Sequence, residues 1–357
     1  MRRIIQVLDT LSYGDAIGNH TLAIHKNLLA IGRKSNIYAS QIDDRLKGYA
    51  APFSSYQVEP DDILIYHLST WSPLNEQIQK LSCKIVIDYH NITPPGFFKE
   101  YSRRFYDGNV KAYQEAAMLA ERADYAFADS PYNAVDLRQL GYTCQIDVVP
   151  IIINFSDYTK KPDDGILRRY GKAPDEDYKN IIFVGRIAPN KKQEDIIADF
   201  SIYQKYYNEK SRLILVGNST NMEEYYLSLK KYTKKLGVKN VVFTGHIPFS
   251  QILAYYRTAD LFLCESEHEG FCVPLVEAMY FHVPIIAYAS SAIPDTLGSG
   301  GLLTTKKAPG YTAALMETLF QHTEIVHTIQ EKQKDELKRF DEASTFQKLL
   351  HIIDSIS

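Results

Sequence analysis

The chain is punctuated by short apolar runs that stop abruptly, several of them at glycine, and that alternate with longer helical patterns. Ile4 to Leu8 (IIQVL), Ile63 to His67, Lys84 to His90 (KIVIDYH), Tyr125 to Ala128 and Ile146 to Pro150 make a first series. The pattern restarts with Asn180 to Gly185, Arg212 to Gly217, Asn240 to Gly245, Asp260 to Cys264 and Pro284 to Tyr288. Continuous apolar runs of this length, separated by helices, belong to parallel strands covered on both faces. Between the series lies a polar stretch, Phe155 to Lys179, carrying Pro162, Gly165, Gly171 and Pro174. It reads as a linker followed by a short helix and places a domain boundary near residue 158. The expectation is an α/β protein with a first domain over 1–158 and a second over 159–340. The tail, 341–357, reads as an amphipathic helix packing back on the first domain, with Phe346, Leu349, Leu350, Ile352 and Ile353 near one face.

A length of 357 residues exceeds the usual size of one core. Apolar residues at 45% and charged residues at 23% are ordinary for a soluble globular chain. A net charge of −3 argues against a general nucleic-acid binder. One local basic patch stands out, Lys230, Lys231, Lys234, Lys235 and Lys239. It reads as a solvated helix face or as a peripheral contact with an anionic membrane surface. None of the four cysteines forms a CxxC pair, so neither a zinc site nor a disulfide framework is indicated. The apolar stretch at the N-terminus is too short for a signal segment, and no run approaches the ~18 residues of a spanning helix. The expected location is cytoplasmic, with peripheral attachment to the inner membrane face as the variant.

In open α/β sheets ligands bind beyond the carboxyl ends of the strands, so residues that follow strands carry the functional reading. After the run ending at Cys264 comes an acidic loop, and then Glu269-Gly-Phe-Cys-Val-Pro-Leu-Val-Glu277. Pro274 suits a first helical turn. Free N–H groups at Leu275 and Val276 are expected to hold a phosphate at the positive end of that helix. Glu277 is expected within the same turn, where its carboxylate accepts hydroxyl hydrogen bonds, as from a ribose diol. Taken alone it reads better as compensation of the helix dipole, and the surrounding segment turns the reading toward the ribose. Glu269, before the turn, is placed to reach a sugar hydroxyl. The second segment, Gly185-Arg186-Ile-Ala-Pro-Asn-Lys191-Lys192, follows the first strand of the second series. Gly185 permits close backbone approach, Arg186 offers a bidentate fork to phosphate oxygens, and Lys191 adds a point charge. Cations aimed at a departing diphosphate stabilise the transition state more than the ground state, and stand where another enzyme places a metal ion. Asp43-Asp44, Asp61-Asp62 and Asp163-Asp164 are not at strand ends and read as solvated turns, so no metal ligands are assigned.

Together these segments resemble glycosyltransferase family 4, a GT-B family: E-x7-E at Glu269 and Glu277, and GRIAPNKK as its G-R-hydrophobic-x-x-x-K segment. The resemblance implies two Rossmann-like domains facing across a cleft, an N-terminal acceptor domain and a C-terminal nucleotide-sugar domain. It implies retention of configuration, no cofactor and no metal. The partners it implies are a UDP- or GDP-sugar type of donor and a glycan or lipid-linked glycan acceptor in cell-surface polysaccharide synthesis. It gives Glu277 the ribose and Glu269 the donor sugar. It brings Gly18, in Tyr13 to Asn19, near the donor diphosphate, and His90, at a strand end, near the transferred sugar. Departures are Cys272, where relatives often have glycine, and Ser290 to Asp295, where many have a Gly-Gly loop. The alternatives are a nucleotide-sugar epimerase or a phosphorylase on the same architecture, and a non-catalytic GT-B partner subunit. A glycogen-type phosphorylase needs a much longer chain. A degenerate partner tends to lose the clamp and glutamates that stand here.

Overall fold

The computed structural model describes residues 2–171 and 178–356, and Pro174 of the expected linker lies outside them. The chain divides into two compact units. The first comprises Met1–Gly96, Arg103–Phe155 and Phe340–Ser357, and the second Phe97–Ser102 and Ser156–Arg339. The division therefore falls at Phe155/Ser156, and a short piece from within the first series, Phe97–Ser102, belongs with the second unit.

The first unit is built on a parallel sheet of β1 (Arg3–Leu11), β2 (Lys34–Ile42), β3 (Ala50–Pro52), β4 (Ile63–Leu68), β5 (Lys84–Tyr89), β6 (Tyr125–Ala128) and β7 (Ile146–Val148), in the order β3-β2-β1-β4-β5-β6-β7. β4 is buried along its whole length, which explains why it reads as an unbroken apolar run. β2 alternates buried and exposed residues over its first half and carries Lys34, Ser35 and Asn36. That is why no apolar run announced it. Its register is set by pairing with β1, from Arg3↔Lys34 to Leu11↔Ile42. Asp62 is not a solvated turn residue. It is 1% exposed and accepts from the Arg3 guanidinium at 2.8 Å, the Tyr56 hydroxyl at 2.8 Å and the Glu59 N–H at 2.9 Å. The helix Pro131–Gln139 starts where Ser130 Oγ accepts the Asn133 N–H at 3.2 Å, with proline in its first turn.

The last helix, Glu342–Ile356, packs within this unit. Phe346, Leu349, Ile352 and Ile353 join a core cluster with Ile24, Ile65, Val86 and Phe127. Leu349 is fully buried. Leu349→Ala is expected to cost about 3 kcal/mol through a cavity the strands cannot fill. Urea unfolding checks this, and a loss below about 1 kcal/mol would mean the helix is not part of the unit's core.

The second unit has its own parallel sheet, β8 (Lys179–Val184), β9 (Ser211–Val216), β10 (Val241–Phe243), β11 (Leu261–Cys264), β12 (Ile285–Tyr288) and β13 (Leu302–Thr304), in the order β10-β9-β8-β11-β12-β13. Strand order reverses between β8 and β11, which is where a doubly wound sheet opens a crevice at its carboxyl edge. β8 and β9 each run directly into a glycine, Gly185 and Gly217. The Gly185 N–H donates to the Val216 carbonyl at 2.9 Å, and Gly217 bridges Gly245. A Cβ on Gly217 would lie 1.9 Å from the Gly185 carbonyl oxygen, so glycine is required by the close approach of the two strand ends. Among the described residues no helix is long and apolar enough to cross a membrane.

Candidate functional site

At the β8/β11 switch point, two loops meet. The loop after β8 turns through Pro189–Lys191 and brings Lys191 Nζ to 2.5 Å from Glu269 Oε2, in the loop after β11. Asn190 ties the loops by donating to the His268 carbonyl at 3.0 Å, and the Glu267 N–H returns a bond to the Asn190 carbonyl at 2.9 Å. The Glu269 N–H donates to Ser291 Oγ at 2.8 Å, which anchors the loop from a third side. The side chains of Lys191 and Glu269 are 21% and 8% exposed. Burial alone would lower the Lys191 ammonium, but Glu269 beside it holds the pKa above the ordinary value. The two residues form an ion pair at the strand ends that uses one of the three N–H donors of the ammonium. Arg186 is exposed, and its carbonyl accepts from Gln193 Nε2 at 2.9 Å.

Glu277 differs from its expected place. The helix runs Val273–Tyr280, so Glu277 lies in its second turn rather than its first. Its Oε1 accepts the Tyr158 hydroxyl at 3.2 Å and its Oε2 the Tyr256 hydroxyl at 2.7 Å. Burial pushes its pKa up, against the lowering effect of the two tyrosine hydroxyls. Each oxygen keeps a further lone pair, so the tyrosines orient the carboxylate without exhausting it. Neither tyrosine was singled out by sequence. Tyr158 falls at the expected domain boundary, and Tyr256 reads as an ordinary buried helix residue. The expected phosphate cradle is also corrected. The Leu275 N–H is not free, since it donates to the Cys272 carbonyl at 3.0 Å, and Val276 lies deep enough in the helix for an i−4 partner. Cys272 caps this helix at φ 73°, a left-handed conformation that ordinarily favours glycine.

Behind the pair sits an acidic group that sequence did not single out. Lys307 Nζ bridges Asp195 at 2.6 Å and Glu267 at 2.9 Å. Asp199 and Glu265 lie buried deeper, each with an oxygen lacking a hydrogen-bond partner. Burial, reinforced by Glu265, pushes the Asp199 carboxyl up to about 9, and burial pushes Glu265 up to about 7. A carboxyl raised in the fold keeps its proton after the unfolded chain has released it. Stability from this group is therefore full below the unfolded value and is lost as pH rises toward about 9. Asp199→Asn is expected to flatten that decline, with a Tm several degrees above wild type near pH 9 and a much smaller difference near pH 5. Calorimetry across this range checks it, and parallel wild-type and variant curves would refute it.

In the first unit the structure shows what surrounds two of the expected site residues. Gly18 lies in the helix Ala16–Ala30, buried, with its N–H donating to the capping Asp15 at 3.3 Å. A Cβ there would meet the Ser12 carbonyl oxygen at 2.6 Å, so packing already requires glycine. His90 does not offer a ring nitrogen to a sugar. Its side chain is 2% exposed, Nδ1 lies 2.9 Å from Asp129 Oδ2, and Nε2 lies 3.0 Å from His67 Nδ1. His67 in turn meets Gln6 Oε1 through Nε2 at 3.1 Å. Gln6 Nε2 donates to the Thr21 carbonyl, so Gln6 Oε1 is the acceptor and His67 Nε2 carries hydrogen. A chain of hydrogen bonds from Gln6 through His67 and His90 to Asp129 follows, with Asp88 as buried countercharge 2.8 Å from His67 and 3.2 Å from His20. Burial opposes protonation of His90, but Asp129 and Asp88 hold its pKa well above the ordinary value, while burial lowers His67 to about 4. His67, Asp88 and His90 are close enough to share a metal ion. The His67 and His90 rings, however, are 7° from parallel with centroids 5.3 Å apart, pointing their nitrogens at each other as in an N–H···N bond. An ion about 2.0–2.1 Å from both would need those lone pairs bent toward a common point.

The strand-end loops of the second unit lie in a segment that is similar to known proteins. Residues 168–336 match the family model Glycosyl transferases group 1. Curated relatives agree with this match. Mannosylfructose-phosphate synthase of Agrobacterium fabrum is 33% identical over 113 residues, covering 30% of this chain and 25% of that protein. D-inositol 3-phosphate glycosyltransferase of Corynebacterium glutamicum is 27% identical over 171 residues, covering 47% of this chain and 41% of that protein. The chain thus spans less than half the length of these two relatives. Among solved structures, Anabaena Alr3699/HepE, in complex with UDP-glucose, superposes with a TM-score of 0.78 at 18% identity, over 99% of this chain and 100% of that one. The likeness gives the fold of the whole chain: GT-B, with two parallel-sheet Rossmann-like halves.

Proposed function

We propose that the chain is a glycosyltransferase that moves a hexose-type sugar from a nucleotide diphosphate sugar to an acceptor hydroxyl, with retention of configuration. The observation that carries this reading is the Lys191–Glu269 pair at the β8/β11 switch point, inside the segment that matches the group 1 glycosyltransferases. In this reading the Lys191 ammonium and the Arg186 guanidinium neutralise the departing diphosphate, in place of a divalent ion. Glu269 positions the sugar, and Glu277, oriented by Tyr158 and Tyr256, receives the ribose hydroxyls. The UDP-glucose complex of the Anabaena structure supports a nucleotide-sugar as the donor class. A glycan or lipid-linked glycan acceptor and a setting in cell-surface polysaccharide synthesis are carried over from the family resemblance. The first unit is assigned the acceptor, and the second the donor.

Incubation with a panel of nucleotide-sugars, without acceptor, tests the donor class. Slow release of free sugar and nucleoside diphosphate is expected from at least one. An isomerised sugar still attached to nucleotide would instead identify an epimerase, and no nucleoside diphosphate binding by calorimetry would identify a non-catalytic subunit. Adding Mg²⁺ or Mn²⁺ to the protein as purified is expected to leave the rate unchanged, and strong stimulation would overturn the cation role of Arg186 and Lys191. Glu277→Ala is expected to weaken nucleoside diphosphate binding by roughly 10-fold or more, the loss of charged hydrogen bonds to a diol. Unaltered affinity would remove Glu277 from the ribose site.

A further inference from the structure

The second unit carries a cationic surface that the transfer reading does not use. The helix Glu223–Leu236 buries Tyr225 and Leu229. Its opposite face presents Leu227, Lys230, Lys231, Lys234 and Lys235, spaced to lie along one stripe, and all are exposed. Lys239 follows in the next loop, also exposed. Several exposed lysines elsewhere pair with an acidic neighbour, as Lys47 does with Asp44 at 2.6 Å, Lys161 with Asp164 at 2.7 Å and Lys338 with Asp335 at 2.7 Å. Among the described residues none of these five forms an ion pair. Lys230 instead lies 4.4 Å from the Phe243 ring centroid.

The stripe continues onto an aromatic edge. Lys239 exchanges two hydrogen bonds with Gln204, donating its N–H at 2.8 Å and accepting through its carbonyl at 3.0 Å. This fixes it beside the end of the helix Gln193–Tyr206, where Tyr206 is 64% and Tyr207 44% exposed. Lys205 lies 4.8 Å from the Tyr206 ring centroid. The acidic residues on these segments are Glu194 and Asp195 at the far end of the helix Gln193–Tyr206, the buried Asp199 within it, Glu209 in the following turn, and Glu223 and Glu224 at the far end of the lysine helix. Tyrosines with an apolar body and a polar tip favour a membrane–water interface, and lysine stems lie along it with their charges outward.

We propose that this surface, the lysine stripe of Glu223–Leu236 with Lys239, Tyr206 and Tyr207, docks the protein on an anionic lipid bilayer. Charge complementarity supplies the attraction, and the exposed rings and Leu227 give it a shallow apolar component. A chain of net charge −3 that concentrates unpaired lysines beside aromatic rings is suited to a flat anionic surface more than to the grooves of a nucleic acid. This inference does not depend on the transfer reading.

Co-sedimentation of the untagged full chain tests it, with vesicles of phosphatidylcholine alone or mixed with phosphatidylglycerol. Binding to the mixed vesicles is expected at low salt, with loss at high salt and little binding to phosphatidylcholine. Each lysine near such a surface contributes roughly fivefold, so the quadruple variant K230E/K231E/K234E/K235E should bind at least about 100-fold more weakly. Y206S/Y207S should bind more weakly at every salt concentration. The substituted positions are exposed, so unfolding temperatures and donor hydrolysis should match wild type. Equal binding to both vesicle types, or full binding by the quadruple variant, overturns the proposal. Duplex DNA that displaces the protein from vesicles at equal charge concentration would identify a general polyanion surface and overturn the lipid assignment.

Discussion

Lys191→Ala is expected to lower kcat by roughly 10²–10³-fold, the magnitude associated with removing one charged group aimed at a developing anion. The ammonium is held at 2.5 Å from Glu269 and kept charged by it, so its position is set before any ligand arrives. A group fixed in advance needs no reorganisation when the diphosphate departs. The loss should therefore fall on kcat more than on KM. The substitution also leaves Glu269 at the edge of the interior without its partner, so some loss of stability should accompany it. Glu269→Gln separates the two effects, because it removes the charge and keeps the shape. The pair is confirmed as catalytic machinery if Lys191→Ala loses turnover at a temperature where circular dichroism shows it fully folded. Turnover within about twofold of wild type would show that the pair only holds the two loops together.

The largest structural effect is expected from Gly217→Ala. A Cβ at this position would overlap the Gly185 carbonyl oxygen at 1.9 Å and its carbonyl carbon at 2.7 Å, and both are backbone atoms that cannot rotate away. Gly217 also adopts φ +154°, which a side chain disfavours. Either the β8 and β9 ends separate or the second unit loses stability. The expected cost is at least about 3 kcal/mol, a fall in Tm on the order of 10 °C. Because Gly185 leads directly into Arg186, any separation of the strand ends also moves the cation-bearing loop. Gly310→Ala is the control. Nothing lies within 4 Å of its built Cβ, and it sits in the helix Pro309–Gln321, so the change should be neutral or slightly stabilising. A Tm for Gly217→Ala equal to that of the control would mean the two strand ends are farther apart than described.

The division of the chain into two series of parallel strands was determined by sequence alone, because strands buried on both faces must be apolar throughout. β4, β5, β8 and β11 announce themselves this way, and the glycines after β8 and β9 mark where backbones converge. Lys191 and Glu269 were legible for a related reason: loops at strand carboxyl ends are where a doubly wound sheet exposes backbone and charge. Sequence could not supply what depends on partners far along the chain. β2 was invisible because its register comes from β1. The Phe97–Ser102 piece joins the second unit through contacts such as Tyr101 with Tyr225, which no local pattern encodes. His90 looked like a ligand-facing histidine, and only the folded sheet places His67, Asp88 and Asp129 around it. The orientation of Glu277 is likewise decided by Tyr158 and Tyr256, 119 and 21 residues away. Periodicity and strand-end chemistry are local and survive in one dimension. Hydrogen-bond partnership is decided by which side chains the completed packing brings within about 3 Å, and that distance exists only in the tertiary structure.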